Sequence, residues 1–515
     1  MNEMNEIKTP ATEAAAENAP QKQHFSPVDA IFALLFFVFG DLTVRWFFFV
    51  HDSVGLGTFV LVAVITALTL SYLKLKKIPL TWKSGVPFGV ILLFSTVLFL
   101  SDNDFIKMIA VSFAVIAFLY AVLLVSGNGA EEKMGDLLPF DLLKSTVFMP
   151  FSRFGAVCKA PVIAGKNTAF GKKILLVLGG ILAALIPTVS VFRLLSDADG
   201  AFSNITDLLF SNFFENLPRE IFYFCFGIPV AMFLFGMLYA NATHAADNIL
   251  TRPQCESTRD LLRFVPVLFT AAAITPILIV YVLFFFSQTS YFLSAFSGIR
   301  PEEITFAEYA RQGFFELCRV SVINLFVILF AEIFTKRQDG KKSPVVRGYI
   351  VTLSVFTLGL IAIALSKMIL YIDAYGLSLR RLYPTWFMVV LTVLFFLILL
   401  KQFREKLPLL RVFAISFTVL LGVLLFADAD AMVARYNVNA YKTGKLDTVD
   451  VNMMYELSDS AIPYVLELVD DENEAVAAKA REFITFKTGT FSYRDDRFES
   501  FNLATHRAKK LLEDT

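Results

Sequence analysis

The chain has 515 residues, of which 56% are hydrophobic and only 18% charged, and Phe alone occurs 56 times. Soluble domains carry roughly a quarter charged residues, and one aqueous core cannot bury this much apolar surface, so the composition makes a lipid bilayer the expected partner. Basic and acidic side chains balance at 46 each, which removes the electrostatic basis for a nucleic-acid partner.

The first 25 residues are polar, Ala/Glu/Asn-rich and without periodicity, and read as a disordered tail with no cleavable signal. The run Ser26-Pro27-Val28-Asp29 then opens the first span: Ser26 can cap, Pro27 suits the first helical position and Asp29 complements the helix dipole. Eleven apolar segments are long enough for a hydrocarbon core that takes about 20 helical residues. Their cores lie near 30–50, 54–73, 85–100, 106–126, 174–192, 220–243, 264–287, 315–335, 348–371, 384–401 and 409–427. Every second connection is rich in Lys and Arg: 74–83, 127–173, 247–263, 336–347 and 401–411. The alternate ones, such as "HDS" and "SDND", are poor in both. The positive-inside rule therefore puts the N-terminus in the cytoplasm and, after eleven crossings, the C-terminus outside. Residues 1–27 are then a cytoplasmic tail, 28–427 the transmembrane domain and 428–515 an extracytoplasmic helical domain docked on the spans. The expected fold class is all-α, a polytopic transmembrane helix bundle with that small domain at its end. Within the connections, 137–172 has the pattern of a helix lying on the inner leaflet, and 202–217 that of an outer interfacial helix.

Ionisable residues inside apolar spans are costly and therefore informative. Asp41 and Arg45 stand four apart in the first span, either as a self-neutralising pair or as an ion or substrate contact. The eighth span begins with Glu308, Arg311, Glu316 and Arg319 on one helical face, with no evident break between this charged half and the apolar half. Such a face could simply be solvated. It has company on the same side, however: Asp197 and Asp199 end the fifth span, Lys367, Tyr371 and Asp373 end the ninth, and Arg380 and Arg381 precede the tenth. Because buried charges must be paired or hydrogen-bonded, these residues are expected to form one outward-facing polar network roofed by the C-terminal domain. The echo between "LLSDADGAF" (194–202) and "LLFADADAMV" (424–433) allows a duplicated half, as in transporters.

The four cysteines (158, 225, 255 and 318) and four histidines (24, 51, 244 and 506) form no cluster and no CxxC pair, so no metal and no cofactor is expected. No HExxH, GxSxG or P-loop occurs.

Three blocks, "FAEYARQGFFELCRV" (306–320), "SKMILYIDAYGLSLRRLYPTWFMVVL" (366–391) and "ARYNVNAYKTGKLDTVDVNMMYELSDSAIPYVLEL" (434–468), resemble recurrent blocks of an uncharacterised bacterial membrane family. This is the domain-of-unknown-function group numbered 4173, with its relative 4153, and the resemblance covers roughly 170–470. It implies a multi-pass protein of the bacterial plasma membrane and carries no activity over. Lys367 stands where the family pattern has Arg, which keeps charge but loses bidentate hydrogen bonding. The expected role is that of a non-enzymatic envelope protein, sensing or scaffolding, whose partners are the bilayer and an envelope protein or small-molecule ligand at the outer face. The alternatives are a membrane transporter and an enzyme acting on a lipid-linked substrate.

Overall fold

The structure is a computed structural model. It describes residues 24–48, 54–166, 200–287, 306–338, 340–493 and 497–514, with scattered positions between 172 and 198. For 47–48, 200–218, 306–312 and 492–493 the backbone alone is described.

The long helices are α1 (Pro27–Thr43), α2 (Leu56–Leu75), α3 (Trp82–Ser95), α4 (Asp104–Val125), α5 (Gly200–Ala242), α6 (Arg252–Leu261), α7 (Val267–Ser287), α8 (Phe306–Phe334), α9 (Pro344–Tyr375), α10 (Leu379–Phe403) and α11 (Leu409–Phe426). They are followed by α12 (Ala429–Lys442), α13 (Glu474–Tyr493) and α14 (Leu503–Glu513). The described residues contain no strand, only isolated bridges at Val265–Thr335 and Gln338–Lys341. Ten described helices are long and apolar enough to cross a membrane, and an eleventh crossing results if the bent pair Leu138–Ser152 and Ala156–Lys166 counts as one broken span. This is an all-α polytopic helix bundle, and the protein is a multi-pass membrane protein. Ten of the eleven segments expected from sequence coincide with these helices, while 174–192 is described only at scattered positions. The stretch 202–217 is continuous with the following span in α5.

Contacts divide the chain into two units, Met1–Asp41 with Arg153–Tyr239, and Leu42–Ser152 with Ala240–Thr515. In the first, α1 and α5 approach closely at Gly40 and Gly227. A Cβ added to Gly227 would lie 2.8 Å from the Asp41 amide nitrogen, so the crossing requires small residues, as is common between helices in lipid. Phe36 packs on Phe235 and Phe25 stacks on Tyr239 alongside it.

In the second unit the core of α7–α10 is built from Ile274, Ile328, Leu353, Ile361 and Phe395. Lipid tails are as apolar as these side chains, so burial alone does not hold the helices together. A polar chain crosses them instead. Tyr281 of α7 donates to Asn324 Oδ1 of α8 at 2.6 Å, Asn324 Nδ2 donates to Thr357 Oγ1 of α9 at 2.8 Å, and Thr357 donates to Leu353 O at 2.7 Å. The C-terminal part of the unit has a water-soluble type of core, with Val433, Val451, Met454, Ile462, Val465 and Phe483 buried together. Each such side chain contributes about 1.5–3 kcal/mol when fully buried.

The span ends of this unit gather on two faces. On one, Arg411 donates to Met134 O, Lys401 lies 3.7 Å from Asp136, Arg347 pairs with Glu405, and Lys342 bridges Glu332 and Gln402. On the other sit the start of α2, the turn between α3 and α4, the turn between α9 and α10, and all of α12–α14. The Lys/Arg-rich connections of this unit share the first face.

Asn324 serves two partners, so its loss should exceed that of a residue serving one. Asn324→Ala should destabilise the detergent-solubilised protein by about 1 kcal/mol, with Tyr281→Phe costing less. Thermal unfolding checks this, and equal losses would mean that the Thr357 bond contributes nothing.

Candidate functional site

Three attachments join the C-terminal helices to the span ends. The first is a backbone strap. Gly55 stands at the N-cap of α2 and has no side chain with which to cap it, leaving the first helical N–H groups without intrahelical acceptors. Leu56 N–H donates instead to Phe501 O at 3.0 Å, and Gly57 N–H to Glu499 O at 3.0 Å. A Cβ at Gly55 would lie 2.7 Å from Phe501 O and one at Gly57 2.8 Å from Glu499 Cβ, so the strap needs both glycines. Because 499–501 is used this way, the last helix starts only at Leu503, capped by Asn502. Asn502 also donates to Ser101 O, beyond the end of α3.

The second attachment is Asp430, which is 1% exposed. Asn103 Nδ2 donates to its Oδ2 at 2.6 Å and to the Tyr383 hydroxyl at 3.0 Å, while Ser458 N–H donates to its Oδ1 at 3.2 Å. One carboxylate thus joins the α3–α4 turn, α12 and the C-terminal core. The third is Asn437, whose amide both donates to Leu377 O (2.7 Å) and accepts from Leu377 N–H (2.8 Å), as a neighbouring strand would. Gly376 beside it has φ +77°, and a Cβ there would collide with Asn437 Oδ1.

Beside the third attachment a partly open cavity of about 860 Å³ lies between the ends of α8, α9 and α10 and the segment 446–456. Phe314, Phe315, Tyr371 and Tyr375 line the span side, and Asp447, Asp450 and Glu456 the opposite side. Arg381 lies over the Tyr371 ring at 4.0 Å and donates to Tyr375 O (2.9 Å) and Gly376 O, capping the C-terminal carbonyls of α9. Arg380 pairs with Glu456 at 2.7 Å across the cavity, and Lys445 with Asp373 at 2.7 Å near its edge.

Of the residues singled out from sequence, Tyr371, Arg380 and Arg381 line this cavity, and Asp373 is bonded to the C-terminal region through Lys445. Lys367 lies next to Gly313, where a Cβ would stand 3.1 Å from its Nζ, and within electrostatic reach of Glu316. Glu316 and Arg319 are exposed. The helix expected at the start of the eighth span runs unbroken as α8, with a local distortion at Gly313, whose φ is +95° and whose N–H donates to Glu316 at 2.9 Å. Asp41 lies in α1 and Arg45 in the π-helical turn Val44–Phe48 that follows it. Asp197 and Asp199, and the side chains of Glu308 and Arg311, lie outside the described residues. No group of three or more His, Cys, Asp or Glu side chains suited to a metal occurs among the described residues. Sequence reading missed Asn103, Asn437 and the 446–456 wall. The one available signal was that alternating loop charge puts all of them on one face.

Burial is the largest influence on Asp430 and holds its carboxyl above the ordinary range, against the opposing bonds from Asn103 and Ser458. A raised folded value means that the native state keeps its proton longer than the unfolded chain. The contribution of Asp430 is therefore full below the ordinary carboxylate value and declines as pH rises through the raised one. Asp430→Ala strands two buried donors and should cost about 1–3 kcal/mol. Thermal unfolding at several pH values should show the gap between wild type and variant narrowing as pH rises; a gap that widens would reverse the assigned sign.

Comparison with known proteins adds no activity. A model of the family described as a domain of unknown function (DUF4153) matches residues 88–468. The match reaches back to α3, beyond the blocks recognised from sequence, and is to group 4153. Neither the curated proteins nor the solved structures gave a match. With most of its length covered by that family model, the chain belongs to the DUF4153 family.

Proposed function

We propose that this is a non-enzymatic protein of the bacterial cell membrane that senses a small-molecule ligand or an envelope partner on its outer side, through the C-terminal domain seated on the span ends. The observation that carries this reading is the cavity of about 860 Å³, a size suited to a small-molecule ligand. It is bounded half by span ends and half by segment 446–456. A ligand there touches both parts, so it can shift the balance between attached and released domain by its differential affinity for the two. Arg380–Glu456, bridging the two walls in partly exposed surroundings, contributes at most about 1 kcal/mol and is easily exchanged for ligand contacts.

The transport reading asks for a binding site near the middle of the bilayer. In α7–α9 that level is occupied by the mutually satisfied Tyr281–Asn324–Thr357 chain. The face carrying the domain is the one opposite the Lys/Arg-rich connections, which the positive-inside rule makes the outer face.

Accessibility separates the readings. In a background with all four native cysteines replaced, Tyr375→Cys should react with a membrane-impermeant maleimide added outside intact cells. It should be silent to the same reagent confined to the cytoplasmic side of inverted vesicles. Labelling from both sides would favour transport, and labelling from the cytoplasmic side alone would invert the topology.

A further inference from the structure

The opposite face carries a second constellation, independent of the cavity. Arg259 lies near the end of α6, and Arg263 two residues beyond it. Two backbone bonds set this segment against the end of α8: Val265 N–H donates to Phe334 O at 2.9 Å, and Lys336 N–H to Val265 O at 2.9 Å. Arg337 is thereby brought to Arg259 and Arg263. Burial together with the like charges of Arg337 and Arg259 pushes the Arg263 guanidinium below its ordinary value. Asp260 pairs with Arg263, and Glu332 is engaged by Lys342 and Gln402. Among the described residues, Arg259 and Arg337 have no acidic partner within 4 Å. The Nε atoms of Arg259 and Arg263 are buried without a hydrogen bond. Among the described residues, three guanidinium groups held together with one bonded acid leave positive charge without a partner.

The surface beside them is apolar. Leu261 is 77% exposed, Phe264 62% and Leu268 80%. The span α7 begins at Val267, so this strip adjoins the arginines in sequence and leads into the start of a membrane span.

We propose that Arg259, Arg263 and Arg337 bind the phosphate of an anionic phospholipid, whose acyl chains lie along Leu261, Phe264 and Leu268. Guanidinium groups bind phosphate oxygens in pairs of parallel hydrogen bonds, and basic pockets beside membrane helices suit anionic headgroups. The adjoining apolar strip selects a lipid over a free anion, because inorganic phosphate would leave that strip uncovered.

The test uses the full chain in a neutral detergent, with phosphatidylglycerol as probe, phosphatidylcholine as control, and binding read by native mass spectrometry and by thermal shift. Phosphatidylglycerol should bind and raise the unfolding temperature, phosphatidylcholine should do neither, and Arg259→Gln with Arg337→Gln should weaken binding about tenfold, the loss of roughly one charge-assisted bond. Arg404→Gln with Lys406→Gln, on the same face, should leave binding unchanged. Equal binding of the two lipids, or wild-type binding by the Arg259/Arg337 variant, would overturn the site. Full competition by millimolar inorganic phosphate would overturn the lipid assignment in favour of a soluble anion. If the Gln variant does not fold, Arg259→Lys with Arg337→Lys retains charge without the paired geometry: weakened binding supports the site and unchanged binding overturns it.

Discussion

The carboxylate of Asp430 is the point on which the domain-bearing half of this protein depends. A buried ionisable group is tolerated only when its hydrogen bonds are made, and those of Asp430 come from parts of the chain hundreds of residues apart: Asn103 in the α3–α4 turn and Ser458 in the C-terminal core. Satisfying one side chain therefore fixes the position of a whole domain. The strap onto α2 and the Asn437–Leu377 pair obey the same constraint with neutral groups, since each supplies partners to backbone atoms that would otherwise lack them.

The remaining polar groups follow from the solvent at each level. In the middle of α7–α9, Tyr281, Asn324 and Thr357 satisfy one another and join helices that gain little from apolar packing in lipid. Near the ends, where water competes, charges pair across loops and contribute less each. The exceptions are Arg259 and Arg337, which have no acidic partner among the described residues, and their position beside exposed Leu261 and Phe264 is what suggests a lipid phosphate as the complement. The cavity between the span ends and segment 446–456 exists because the attachments hold two differently built cores, one lipid-solvated and one water-solvated, against each other.

Much of the architecture was legible in the sequence because it is local. A run of about 20 apolar residues is a span whatever surrounds it, and the Lys/Arg-rich connections that alternate along the chain meet on one face in the second unit. Tyr371, Arg380 and Arg381 could be found because their chemistry is conspicuous at a span end. Asn103 and Asn437 could not: a single amide in a turn or on a polar helix carries no period, and its partner lies 327 residues away in one case and 60 in the other. Gly313 was passed over for a related reason. The residues around it keep a helical pattern, and only its φ of +95° marks the distortion within α8.

The central claim is that the C-terminal domain is part of the fold of the spans and not an appendage to them. Hydrogen exchange at the Leu56, Gly57 and Leu377 amides tests it most directly. The first two belong to a helix's first turn, where N–H groups lack intrahelical acceptors and exchange quickly. The account predicts that all three are strongly protected in the full-length protein and open together with the amides of α12 and the C-terminal core. Rapid exchange of Leu56 and Gly57 while the domain's own amides stay protected would contradict it.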